Sequence, residues 1–251
     1  MKVLALSVGA ISIAWASLAS AQPAAVPPPP PPDADPEFAG TVAVYSAPGL
    51  LLGRSGWNRI LESEGYEPLD AFAGEFGARA AVQLSGLELA VVPSYAIGTS
   101  DETGGRRFES TSLFGEVAYD LHESPSFTVA PSLGLGWQRS SLCFYGKPDA
   151  NAPEPGGSPI GQILRAPGRE SCLDSDHGAL RLGFALGIVS YEQGGLLFAT
   201  IRPTFTLPFG TSTYRLHGQD VPPLAGPGAP HVSFAVNFEV GFGVGAGRRR
   251  W

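Results

Sequence analysis

Asp174-Ser175-Asp176-His177 is the stretch of this chain best equipped for chemistry. An acid, a hydroxyl and an imidazole standing together are the ingredients of nucleophilic hydrolysis. A triad is a matter of spatial roles, however, and neighbours in sequence do not by themselves meet in space. Asp, Ser and His are also ordinary residues of a polar turn, which is the role expected of them here. His217 with Asp220, and His122 with Glu123, supply two donors each, too few to define a metal site. A second constellation is spread along the chain: Arg79, Arg181 and Arg202 with Glu88, Glu116, Asp120 and Glu239. Opposite charges of this kind must pair wherever water is scarce, because an unpaired buried ion is costly. Cys143 and Cys172 lie in one long connecting segment, and in an exported chain they are expected to form a disulfide that staples it.

Export is read from the N-terminus. Residues 1–21 have the form of a signal peptide: Lys2, an apolar run from Val3 to Ala16, then Ala19-Ser20-Ala21 before Gln22. The run is too short for a spanning helix. Residues 22–37 hold Pro27 to Pro32 and Asp33-Ala34-Asp35, an extended periplasmic linker by composition. Residues 38–251 then form one domain. A formal net charge of −7 argues against nucleic acid as a partner, and no cofactor is expected.

The elements that position these residues are strands. From His231 to Gly245, Val232, Phe234, Val236, Phe238, Val240, Phe242 and Val244 take every second place. Small or polar residues such as Asn237, Glu239 and Gly241 lie between them. Period two is the mark of a strand with two unlike faces. The same alternation predicts strands over 76–84, 87–97, 112–121, 126–138, 179–189 and 196–209, and a shorter one over 38–45. The connections alternate between short (85–86, 122–125, 190–195) and long (46–75, 98–111, 139–178, 210–230). In an up-and-down sheet this sorts long loops to one rim and short turns to the other, as in outer-membrane barrels.

On strands two to eight the apolar face carries no charge, while the opposite face carries the Arg, Glu and Asp residues named above among Gly, Ala, Ser and Thr. An apolar exterior in lipid with a narrow ionic interior accounts for both faces. The expected fold is all-β, an eight-stranded antiparallel up-and-down transmembrane β-barrel. Pro93, Pro131 and Pro203 each remove a ladder donor, so local bulges or exits from pairing are expected there.

Val129-Ala130-Pro131-Ser132-Leu133-Gly134-Leu135-Gly136 is similar to a Pro-x-x-Gly-x-Gly strand common in small bacterial outer-membrane barrels. With the signal, the loop pattern and the final strand, the chain resembles the OmpA-like or OmpX-like superfamily. That resemblance implies both termini in the periplasm and insertion by the outer-membrane assembly machinery. It departs at the end, where the strand pattern stops at Gly245 and Arg248-Arg249-Arg250-Trp251 follow. The expected role is non-enzymatic: a structural part of the envelope, or surface and envelope contacts through long, disulfide-braced loops, with outer-membrane lipid as solvent. Two alternatives stand beside it: a hydrolase or acyltransferase at the rim, and a soluble exported barrel holding an apolar ligand.

Overall fold

The structure, a computed structural model, describes residues 38–84, 86–98, 105–121, 127–145, 159–165, 171–192, 195–210, 213–217 and 224–246. The signal peptide, the linker, Arg248 to Trp251, His122, Glu123 and Asp220 lie outside the described residues.

Eight long strands form the barrel: β1 (Phe38–Leu52), β2 (Phe72–Leu84), β3 (Leu87–Gly98), β4 (Arg106–Tyr119), β5 (Phe127–Phe144), β6 (Ser171–Glu192), β7 (Gly195–Phe209) and β10 (His231–Ala246). Each pairs antiparallel with its neighbour, and β1 pairs with β10 to close the wall, so no edge is left to meet lipid. The short strands β8 (Thr213–Leu216) and β9 (Leu224–Ala225) lie in the last long connection. β8 takes over from β7 beside the outer part of β6.

The faces are as the alternation requires. Phe76, Leu89, Val117, Leu135, Ile188, Phe238 and Val240 are exposed, while Arg79, Glu116, Arg181, Arg202, Asn237 and Glu239 are buried. The exposed side chains form a continuous apolar belt, the mark of a wall whose solvent is hydrocarbon.

The strands outrun the periodicity at the long-loop end. β5 and β6 have 18 and 22 residues, where about 10 suffice to cross a bilayer. β1 reaches Leu52 rather than ending at Tyr45, and β2 begins at Phe72, not Phe76. Above the belt the apolar side moves from outside to inside. Phe108, Leu142, Phe144 and Leu173 point inward and are fully buried, while Glu109 and Arg139 face out on the same strands. Val232 follows this change and is buried, although its place in the alternation groups it with the belt. The ladder shift lies there: Leu50 pairs with Phe234 and Leu51 with Val232, so Ser233 of β10 is the extra residue and Val232 turns inward. The prolines cause no such shift. At Pro93 and Pro203 the ladder on one side skips two residue pairs and resumes in the same register.

The inward apolar residues are covered by the long connections. Helix α1 (Arg54–Ser63) offers Trp57 and Leu61, four apart and so on one face, and both are wholly buried. Helix α2 (Pro159–Arg165) offers Ile160 and Leu164 in the same way. With Tyr214 of β8 they complete a hydrophobic cluster that caps the barrel at its long-loop end. Gly53 starts α1 at φ 75°, where a side chain would strike the Ala229 carbonyl oxygen at 2.8 Å.

Candidate functional site

Strand alternation decides which side chains meet inside the barrel. Arg79 Nη2 lies 2.6 Å from Glu88 Oε1, and its Nη1 lies 2.5 Å from Glu116 Oε2. Glu116 also faces Arg181 Nη1 at 3.8 Å. Arg181 Nη2 reaches Glu75 Oε1 at 3.2 Å, and its guanidinium stacks over the Phe114 ring at 3.9 Å. The Tyr45 hydroxyl donates to Glu75 at 3.1 Å. Arg202 donates twice to Glu239, from Nε at 2.9 Å and from Nη2 at 3.3 Å. Two linked arginines and a separate bidentate pair thus fill the middle of the lumen, each carboxylate within ion-pair reach of a guanidinium. Gly134 makes room for this, since a Cβ there would come within 2.7 Å of Glu116 Cγ.

Asp120 sits at the short-turn end, where its carboxylate accepts from Thr128 Oγ1 at 2.7 Å. Glu75 and Tyr45 complete the ionic group and were missed by the sequence reading. Carrying the β2 alternation back from Phe76 through Gly74 to Phe72 puts Glu75 on the inward face, which is the signal that finds it. Below the ion pairs, the lumen holds a cavity of about 50 Å³ lined by Arg79, Glu88, Asp120, Arg202 and Glu239 among others. At that size it has room for a few waters and falls far short of an ordinary ligand cleft.

The Asp174-to-His177 segment is not a loop root but part of β6, paired residue for residue with β5. Alternation therefore divides it. Asp174 and Asp176 lie on the outer side with Arg139, at 3.7 and 3.6 Å from its guanidinium. Ser175 and His177 are buried on the inner side. His177 Nε2 lies 3.3 Å from Gln138 Oε1, and Ser175 Oγ has no hydrogen-bond partner among the described residues. The acid, hydroxyl and imidazole stand on opposite sides of the wall and form no relay. His217 joins Asp174 instead, its Nδ1 2.9 Å from Oδ2, and Ser141 donates to the same carboxylate at 2.7 Å.

Cys143 and Cys172 are bonded, with Cα atoms 4.0 Å apart. They face each other directly in the β5–β6 ladder. The bond locks two strand ends rather than two points within a loop, and residues 146–170 lie beyond it. In the cap, Trp57 Nε1 donates to the Tyr214 hydroxyl at 2.8 Å, and that hydroxyl donates to the Pro227 carbonyl at 2.8 Å. Burial pushes the Tyr214 phenol up from 10 to about 12.

A closed, eight-stranded antiparallel barrel with an ion-paired interior and an apolar exterior is a transmembrane β-barrel of the small outer-membrane type. No protein-family model matches the chain, and no curated protein matches it. Among solved structures it is similar to Neisserial surface protein A, at 15% identity over 82% of this chain and 95% of that one, TM-score 0.38. The N-terminal β-barrel domain of Pseudomonas aeruginosa OprF matches at 10% identity over 84% and 98%, TM-score 0.36. The outer membrane protease OmpT from Escherichia coli matches at 7% identity over 86% and 99%, TM-score 0.37.

Proposed function

We propose that this protein is a non-enzymatic barrel of the bacterial outer membrane that supports the envelope or makes surface contacts through its disulfide-braced outer loops. The observation that carries the reading is the filled interior. Ion pairs occupy the middle of the lumen and a hydrophobic cluster covers its outer mouth, so the wall is a scaffold rather than a conduit. The separation of Ser175 and His177 from Asp174 and Asp176 supports a role without hydrolysis. Binding residues on such scaffolds concentrate on loops, and here the long connections share one rim.

In this reading the short-turn end is periplasmic. Phe38 and Ala246 pair there, so the chain enters and leaves the barrel on that side. The outer-membrane assembly machinery would insert the chain from the same side. Fractionation with surface proteolysis tests this. The protein should require detergent for extraction, migrate differently on gels before and after heating, and be cut between Gly146 and Gly168 in intact cells. Recovery without detergent, or cleavage only after permeabilisation, refutes it. Steady ion conductance of the purified protein in planar bilayers would refute the scaffold role.

A further inference from the structure

A second cavity, of about 460 Å³, lies on the outer side of the wall across β4, β5 and β6. The register describes its floor. Tyr95, Thr111 and Arg139 stand side by side across three strands. One row further out come Glu109, Ser141 and Asp174. His217 closes one flank. One row toward the midplane, Leu113 pairs with Trp137, and these are 51% and 45% exposed members of the belt. Two residues along a strand span only about 6.6 Å. An occupant of this cavity therefore stands at the hydrocarbon boundary, in the layer of lipid head groups.

The chemistry of the lining selects among head groups. Arg107 and Arg139 face Glu109 and Asp174, so cations and anions balance and a bare phosphate finds no net attraction. Hydroxyl groups both donate and accept, and they can use guanidinium, carboxylate, Ser, Thr and Tyr partners alike. Arg139 is half exposed, and its nearest carboxylate oxygens, 3.6 and 3.7 Å away, are too distant for good hydrogen bonds. Among the described residues no hydrogen bond holds its N–H groups, only these two longer ion pairs. Tyr95, 39% exposed, supplies a ring beside them. The volume is that of an ordinary small-molecule cleft.

We infer that this cavity is a saccharide site that takes a sugar of an outer-leaflet glycolipid head group. The inference rests on the proposed orientation, with the long-loop rim outward. The test is titration of the detergent-purified full chain, read by tryptophan fluorescence, with lipopolysaccharide micelles, with its delipidated oligosaccharide, and with inorganic phosphate. The glycolipid should bind best, the free oligosaccharide more weakly, and phosphate should not compete. Arg139→Ala should weaken both sugars roughly tenfold, the worth of a charge-assisted hydrogen bond. Arg139→Lys should restore little of it, because an ammonium cannot reproduce the planar fork. Unchanged binding by Arg139→Ala overturns the site. Competition by phosphate overturns the saccharide assignment, and equal binding of the free oligosaccharide overturns the glycolipid source. If loops are cut from outside intact cells and no sugar binds, the site fails and the orientation stands. If sugar binding depends on Arg139 but the loops are reached only from inside, the orientation fails.

Discussion

Trp57→Ala is the sharpest test of the cap. The indole is fully buried, 5.0 Å from the Tyr214 ring and 6.3 Å from that of Phe144, and it donates to the Tyr214 hydroxyl. Burial of a side chain this size removes about 200 Å² from water, worth about 5 kcal/mol. Alanine keeps a little of that, and neighbours relax into part of the space, leaving an expected loss of about 3–5 kcal/mol. Tyr214 still donates to Pro227, so the lost hydrogen bond adds little. The loss is local, because the belt and the ion pairs lie elsewhere. Proteolysis by trypsin at Arg54 and Arg59 on α1 reads the open population of the cap directly. An opening made easier by about 3 kcal/mol speeds that cleavage by about 10²-fold. The heat-dependent gel shift of the barrel should be unchanged. Cleavage within threefold of wild type would refute the claim that this cluster holds the cap, and loss of the gel shift would refute the independence of cap and barrel.

Three further outcomes follow from the same geometry. Glu116→Gln leaves Arg181 with a single close carboxylate and Arg79 with Glu88 alone; urea unfolding in vesicles should show a loss of about 3 kcal/mol. Val240→Arg, halfway along the exposed face of β10, should cost about 2–4 kcal/mol in the same assay, whereas Gln83→Ala on the inner face should cost less. The reverse ranking would mean that the faces are assigned backwards. Tyr214 gives the cap an alkaline limit. Its folded pKa of about 12 lies above its ordinary value of 10, so its contribution is intact below pH 10 and is lost as pH rises toward 12. Trypsin sensitivity of the cap should climb across that window, and Tyr214→Phe should remove the climb.

The belt was legible because lipid imposes one rule on every strand that crosses it. Phe234 to Val244 alternate without interruption, and any register would show the same two faces. Arg79, Glu88, Glu116, Arg181, Arg202 and Glu239 were legible for the same reason, each taking an inward place in the alternation, whereas Glu75 fell before the stretch that the alternation marked. Beyond the bilayer the rule changes. Arg139, Asp174 and Asp176 face outward while Leu142 and Leu173 turn in, so the apolar phase slips by one residue and reads as a loop. The cap was not legible at all. Trp57, Phe144, Ile160 and Tyr214 come from connections far apart in sequence, and a short amphipathic helix between strands gives only a few residues of period. The Asp174-to-His177 stretch read as a polar turn, but as part of β6 its four consecutive residues divide between two faces, the acids from Ser175 and His177.

The cap also sets an order of events. Its central hydrogen bond joins residues 157 positions apart, and its ring contacts draw on three separate stretches of chain. Closing such spans from a free chain is entropically steep until something else brings the ends together. The pairing of the strands, completed where β1 meets β10, does so. The cap therefore condenses after the wall has closed, and an open cylinder leaves its aromatic residues bare.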